Sequence, residues 1–436
     1  MLVKKKLLKF DRNKKPFKSI ATGFLFYIII GVLLISMPFA QKIPVSFVDN
    51  LFNVVSAMST TGLTTGSISE LYTPFGKLIL LGLIQLGAIG YMTLTSFLIL
   101  SRKDKMPTHR VKVLSAEFSI PQEFNIKQFI KNIIIYTFSV ELIGTLLLYW
   151  QFSLLGLEKP LWSAFFHSIS TFATAGFSIY SDSLMRFQDN TFINIIFITL
   201  MYAGSIGFIV PMDVYRKLRG ESKNITLTSK IIITITALVA FIGVSVYAID
   251  TQGHLLHAFF QVASASTTAG YNTVDLAKLP NAAIFILIFV MIIGASPAGT
   301  GGGIKTTTLS ALLGVIGSVL RGHPEKITFF NHEIPSNRVM TAVATSTLYV
   351  LVLTAATLML CLFDSHTFIE SLFETTSALG TVGLSLGITP DLSNISKIVL
   401  VLTMYLGRVG PLTLGLAFFK SSNFSNHITK KTDLAV

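Results

Sequence analysis

The sequence predicts an all-α polytopic membrane protein: four span–pore-loop–span repeats, eight transmembrane helices in all, around a pseudo-fourfold pore. Three observations predict it. Charged residues make up 13% of the 436 residues and hydrophobic ones 51%, with a mean hydropathy of +0.68. A soluble chain carries about 25% charged residues. Apolar runs of about 20 residues, the length that crosses a hydrocarbon core, recur near 20–40, 78–100, 129–152, 190–212, 229–249, 281–295 continuing to 320, 339–363 and 397–419. Between them a polar segment with a fixed pattern recurs four times. Such a composition excludes a soluble enzyme and a soluble nucleic-acid binder. The single cysteine, Cys361, excludes an intramolecular disulfide and a Cys-rich metal site.

The first run follows Lys4, Lys5, Lys6 and Lys9, as a signal peptide would. Its apolar stretch exceeds the roughly 7–15 residues of a signal core, so a retained span is expected. Eight spans put both termini on one side. The termini and the segments near 101–128, 213–228 and 321–338, with the inner ends of their flanking spans, hold 26 Lys/Arg and 9 Asp/Glu. The opposite segments, near 41–77, 153–189, 250–280 and 364–397, hold 6 Lys/Arg and 11 Asp/Glu. Basic residues collect on cytoplasmic loops, so both termini are expected in the cytoplasm of a cell-membrane protein. The net charge of +13 then belongs to the inner loops and calls for no nucleic acid. The expected division is a cytoplasmic segment 1–19, repeats at 20–112, 113–228, 229–336 and 337–420, and a cytoplasmic tail 421–436.

The four polar segments read Phe52-NVVSAMSTT-Gly62, Phe166-HSISTFATA-Gly176, Phe260-QVASASTTA-Gly270 and Phe373-ETTSALGTV-Gly383. Each has a Phe ten residues before the Gly, a Ser four after the Phe (Ser56, Ser170, Ser264, Ser377) and a Thr two before the Gly (Thr60, Thr174, Thr268, Thr381). A second pattern follows about 25 residues later: LGAIG at 86–90, AGSIG at 203–207, IGASP at 293–297 and LGRVG at 406–410. A bundle of spans has no use for four polar Thr-x-Gly segments, because exposed backbone at membrane depth is tolerated only where it lines water or is buried in protein. Each Phe-to-Gly stretch is long enough for two or three helical turns, too few to span at ~1.5 Å per residue, so it enters and returns. A short helix entering this way aims its negative end at the membrane centre and favours a cation there. The tripeptides Thr60-Thr61-Gly62, Thr174-Ala175-Gly176, Thr268-Ala269-Gly270 and Thr381-Val382-Gly383 offer carbonyls and hydroxyls without charge. Four such loops make rings of oxygens that replace the hydration shell of a monovalent cation.

These residues carry a resemblance. Thr381-Val382-Gly383 looks like the start of the potassium-channel filter. The plan of four nonidentical span–pore-loop–span units over roughly 20–420 resembles the Trk/Ktr/HKT superfamily of potassium transporters, most closely the Ktr membrane subunit. The resemblance implies a filter with one glycine per repeat. It also implies potassium as the transported ion, since Gly62 stands where plant sodium-selective relatives have serine. Sodium is implied as a candidate activator or secondary ion, with selectivity weaker than a channel's. A homodimer is implied, working with a cytosolic ring of nucleotide-binding (RCK/KTN-type) regulatory subunits. The basic segments 101–112 and 213–223 are candidate docking surfaces or simply products of the positive-inside rule. No segment reads as a soluble regulatory domain, so regulation is expected from another chain.

The sixth span is interrupted by Gly294-Ala-Ser-Pro297-Ala-Gly299-Thr-Gly301-Gly302-Gly303-Ile-Lys305-Thr-Thr-Thr308. Five glycines and a proline do not hold a helix, so the segment is expected to line a cavity beneath the filter, where glycine's freedom lets it block the path and move aside. The resemblance implies a gate here. A Walker phosphate loop is excluded because Ile304 separates Gly303 from Lys305. Arg408 stands where the other repeats have Ala88, Ser205 and Ala295. A charge at that depth costs at least ~2.5 kcal/mol and must face water or a partner. It is expected either to donate to gate-loop carbonyls near the cation path or to pair with Glu141. Lys305 is expected either at the gate or reaching to the inner interface. Asp49, Glu370 and Glu374 are read as attracting cations at the outer mouth or as solvated helix caps, and His167, His254 and His257 as structural. An alternating-access cation transporter is the alternative function, since interrupted helices suit that class, although only Glu141 offers a proton-carrying group within a span. Nothing in the sequence assembles a catalytic set, so no enzyme is expected.

Overall fold

The computed structural model describes residues 15–100, 111, 114, 125–251 and 255–418. The terminal segments, most of the basic segment 101–112, and His254 lie outside the described residues. Four units follow one another, each with a lead helix, a short pore helix and a return helix. The lead helices are Lys15–Ile35, Ile126–Leu154, Leu227–Thr251 and Ser336–Phe363. Among the described residues these four helices are long and apolar enough to cross a membrane unbroken. They turn Phe26, Leu142, Phe241 and Leu351 outward, each more than half exposed. An apolar exterior of this kind requires an apolar solvent.

The pore helices are Phe47–Met58, Pro160–Phe172, Leu255–Ser266 and Phe368–Gly380. At 12 or 13 residues each they span about 18–20 Å, which enforces the entry and return expected from sequence. Their starts are set locally. The Ser46 hydroxyl accepts from the Asp49 amide, Pro160 occupies the first turn, and Thr367 and Glu370 form a reciprocal capping box. The repeated phenylalanines Phe52, Phe166, Phe260 and Phe373 are all buried and anchor these helices in the protein.

The return helices correct the expected spans. The runs at 78–100, 190–212 and 397–419 are not continuous helices. The first is split into Pro74–Ile89 and Tyr91–Leu100, the second into Thr191–Ser205 and Ile209–Leu218 with a bend of 92°, and the fourth unit's into Asn394–Val409 and Pro411–Phe418. The breaks fall at Gly90, Gly207 and Gly410, all at positive φ (83°, 84° and 89°). The third return helix, Asn281–Ile293, resumes only at Thr306–Leu320 after the glycine-rich segment. The interruption expected of one repeat is therefore a property of all four, enlarged in the third. A small hairpin, Thr328–Phe329 with His332–Glu333, is the one departure from helix among the described elements.

Packing closes the units into a ring. Each pore helix packs on the return helix of the preceding unit: Pro160–Phe172 on Pro74–Ile89, Leu255–Ser266 on Thr191–Ser205, Phe368–Gly380 on Asn281–Ile293, and Phe47–Met58 on Asn394–Val409, which joins the last unit to the first. Lys397 Nζ donates to Asp49 Oδ1 at 2.9 Å across that seam, with both groups largely buried. We expect Lys397→Met to lower stability by about 1.5–3 kcal/mol, the value of a hydrogen bond to a charged group. In thermal melts in detergent, Asp49→Asn combined with Lys397→Met should cost less than the two losses summed. Strict additivity would show that the pair does not hold the seam.

Candidate cation pathway

One or two residues past the end of each pore helix stands a threonine in the left-handed region: Thr60 (φ 55°), Thr174 (51°), Thr268 (58°) and Thr381 (49°). A β-branched residue there is strained, at about 1–3 kcal/mol per site. The same strain at four equivalent positions marks a backbone held for a purpose. In every unit the carbonyl of the repeated serine accepts the amide of the residue after the threonine: Thr61, Ala175, Ala269 and Val382, each at 2.8 Å. In units one and four the serine hydroxyl also accepts the glycine amide, Gly62 to Ser56 Oγ at 3.0 Å and Gly383 to Ser377 Oγ at 2.9 Å. The amides point into their own pore helix, so the carbonyls are free to point away from it.

The four glycines meet. A Cβ on Gly62 would come within 2.5 Å of the Ala175 carbonyl oxygen, and one on Gly176 within 2.7 Å of the Ala269 oxygen. On Gly270 it would collide with the Val382 oxygen, and on Gly383 with the Thr61 oxygen, which returns to unit one. The order is cyclic and closes. The glycines have φ of 97°, 68°, 77° and 98°, which L side chains rarely adopt. On one side of the ring lies a cavity of about 280 Å³ bordered by all four glycines and by Ser178, Ser385 and Thr389. The structure thus brings together Thr60, Thr61, Gly62, Thr174, Ala175, Gly176, Thr268, Ala269, Gly270, Thr381, Val382 and Gly383.

On the threonine side the ring meets the glycine-rich segment. Thr300 is its hub. Thr300 Oγ1 lies 3.0 Å from Thr174 Oγ1 and donates to the Phe172 carbonyl at 3.2 Å, and its carbonyl accepts from Thr60 Oγ1 at 3.3 Å. The Gly302 amide donates to Thr268 Oγ1 at 3.2 Å, and a Cβ on Gly302 would collide with Thr381 Oγ1. One segment from unit three therefore touches the threonine of every unit. It is held by the split return helix of unit two, through Ser296 N to Ser205 O at 3.1 Å, Thr300 N to Gly204 O at 3.2 Å and Phe208 N to Ala298 O at 2.9 Å. Pro297 and Gly299 lie against Gly207 and Ser205 of that helix, and Gly294 against Gly302 and Gly303.

Arg408 joins this segment to the ring. Nη1 donates to Thr60 Oγ1 at 2.9 Å and to the Thr300 carbonyl, and Nη2 donates to the Gly87 carbonyl. Its alternative partner, Glu141, is taken by Gln85, whose Nε2 lies 2.9 Å from both carboxylate oxygens, so the Arg408–Glu141 pairing is not formed. Lys305 does not reach to the interface either. It is half-buried, and Nζ folds back to donate to the Gly301 carbonyl at 2.6 Å. The acidic residues of the mouth separate: Asp49 is paired with Lys397, Glu370 caps its helix, and Glu374 is fully buried rather than solvated. His167 is fully buried and His257 meets Asp189 at 3.1 Å. The basic segment 213–223 is anchored by buried Asp213, which accepts from Ser229 Oγ at 2.5 Å and the Thr226 amide at 3.0 Å. Sequence reading missed Thr300 and Gly87, the acceptors that make Arg408 a bridge. Thr300 alone had a signal, as the one hydroxyl among the central glycines of its segment.

The comparisons with known proteins agree with this architecture. The model of the TrkH family, described as a cation transport protein, matches residues 75–230 and 221–428. The chain is 32% identical over 432 residues to the Ktr system potassium uptake protein B of Bacillus subtilis (strain 168), covering 96% of each chain. It is 30% identical over 430 residues to the potassium/sodium uptake protein NtpJ of Enterococcus hirae, covering 94% of each. The crystal structure of the potassium transporter TrkH from Vibrio parahaemolyticus superposes with a TM-score of 0.71 at 24% identity, covering 92% of this chain and 85% of that one, and shares its fold. With four pseudo-equivalent units closed around a glycine ring and a family model matching most of its length, the chain belongs to the TrkH family of cation transport proteins.

Proposed function

We propose that the protein takes up potassium across the cytoplasmic membrane, both termini inside, through a gated channel-like pore whose selectivity filter is the ring of Thr-x-Gly tripeptides. The observation that carries this reading is the cyclic approach of Gly62, Gly176, Gly270 and Gly383, with uncharged oxygens and no carboxylate in the tripeptides. Such oxygens suit a weakly hydrated monovalent ion, whereas divalent ions recruit carboxylates. The segment from Gly294 to Lys305 is the gate, and Arg408 its latch. The inside-negative potential supplies ~2.3 kcal/mol per charge per 100 mV, enough for accumulation without chemistry in this chain. The relatives named as parts of a Ktr system support a partner subunit, which we take, with a homodimeric assembly, from the resemblance to Ktr membrane subunits as a cytosolic nucleotide-binding ring, and the relative named for potassium and sodium uptake supports sodium as a second ion or activator.

Restoring growth of a potassium-uptake-deficient bacterium at low potassium, with and without a cytosolic nucleotide-binding subunit, tests the reading. Growth rescue that is stronger with the partner is expected. In liposomes containing the purified protein, uptake should follow an imposed potential with no fixed proton or sodium stoichiometry. Obligatory coupling to either gradient would replace the pore by alternating access.

A further inference from the structure

The residue after each repeated phenylalanine differs in all four units: Asn53, His167, Gln261 and Glu374. No identity links them, yet the fold gives them one task. All four are fully buried, and each stands nine residues before its filter glycine. Each reaches past the glycine to a residue two or three positions after it. Asn53 Nδ2 donates to Thr65 Oγ1 at 3.3 Å while its Oδ1 accepts the Thr65 amide at 3.2 Å. His167 Nε2 lies 3.0 Å from Ser178 Oγ. Gln261 Nε2 donates to Thr273 Oγ1 at 3.0 Å. Glu374 accepts from Ser385 Oγ through Oε1 and from Thr389 Oγ1 at 3.0 Å through Oε2.

We infer that Asn53, His167, Gln261 and Glu374 form a belt of positioning residues that sets the filter from behind. The inference rests on reading the four glycines as the ion filter. The geometry carries it as follows. The stretch leading into each glycine is fixed by its serine carbonyl. The belt fixes the stretch leading out, so the peptide between has little freedom to turn its carbonyl. A buried polar group is costly unless bonded, so a pore helix carrying one in every unit, when alanine or leucine would pack without that cost, holds it for the bond it makes. The exit segments also face the path, since Ser178, Ser385 and Thr389 border the cavity outside the ring. Unit four is distinct in supplying a carboxyl group, which gathers two hydroxyls from one exit segment where the other side chains gather one.

The test uses the full chain in liposomes, with the potassium-to-sodium permeability ratio as readout beside total flux and thermal stability. Glu374→Gln keeps the shape and removes one acceptor, and Ser385→Ala removes its partner. Each is expected to change the ratio by about threefold or more, with the double variant changing it no further, as contacting residues couple. Thr273→Val repeats the test in unit three on a hydroxyl that does not border the cavity, and it stands in should Glu374→Gln fail to fold. Gly270→Ser is the control for the filter itself. If Gly270→Ser alters the ratio while Glu374→Gln, Ser385→Ala and Thr273→Val lower only flux or stability, the belt is overturned and the filter stands. If Gly270→Ser also leaves the ratio unchanged, the filter reading falls and takes the belt with it.

Discussion

Replacing Gly270 with serine is expected to reduce potassium uptake about tenfold or more and to erase the preference for potassium over sodium. Two costs combine. At φ of 77° a Cβ is strained, by about 1–2 kcal/mol. That Cβ would also collide with the Val382 carbonyl oxygen and lie 2.9 Å from Gly383 Cα. Neither is the end of a flexible side chain, so the neighbouring unit's Thr-x-Gly backbone must give way. What moves is then an oxygen of the ring itself, and the loss appears in ion selection before it appears in folding. Gly82→Ser is the matched control, because Gly82 lies on an exposed face of a return helix and a Cβ there meets nothing within 4 Å. Flux of potassium and sodium into liposomes checks both. Wild-type selectivity in Gly270→Ser would sink the filter assignment.

Much of this geometry is legible in the sequence because it repeats. Phe52, Ser56, Thr60 and Gly62 have equivalents at fixed offsets in all four units, and each offset has a physical counterpart: the phenylalanine is buried, the serine carbonyl turns the next amide inward, the threonine is left-handed and the glycine approaches its neighbour. Three things escape such a reading. A helix break at a single glycine, as at Gly90 or Gly410, leaves the hydropathy of a run almost unchanged, so a split return helix reads as one span. A structural role filled by asparagine, histidine, glutamine and glutamate in turn has no identity to find. A contact between residues hundreds of positions apart has no local signature: Arg408 offered Glu141 as the only opposite charge at depth, whereas its acceptors are the hydroxyl of Thr60 and the carbonyls of Gly87 and Thr300. Burial favours that outcome, since a carbonyl cluster accepts a guanidinium without desolvating a second charge.

Arg408→Gln is expected to raise basal ion flux. The guanidinium clasps the glycine-rich segment of unit three to Thr60 and the return helix of unit one. A hydrogen bond from a charged donor contributes about 1.5–3 kcal/mol, so losing the clasp shifts the closed-to-open balance by about 10- to 100-fold for one such bond. Removing a positive charge from beside the path lowers the barrier to a cation as well, and the two effects have the same sign. Arg408→Lys separates them. Lysine keeps the charge, but its donors all sit on one compact nitrogen at the end of a flexible stem, so it lacks the spread by which Nη1 reaches Thr60 and Thr300 while Nη2 reaches Gly87. A leak in Arg408→Lys as large as that in Arg408→Gln assigns the closed state to the fork, and a tight Arg408→Lys assigns it to the charge. Flux at or below wild type in both variants would mean that Arg408 does not hold the path closed, and the segment from Gly294 to Lys305 would then have to be held by its remaining bonds, those to the return helix of unit two and to the threonines.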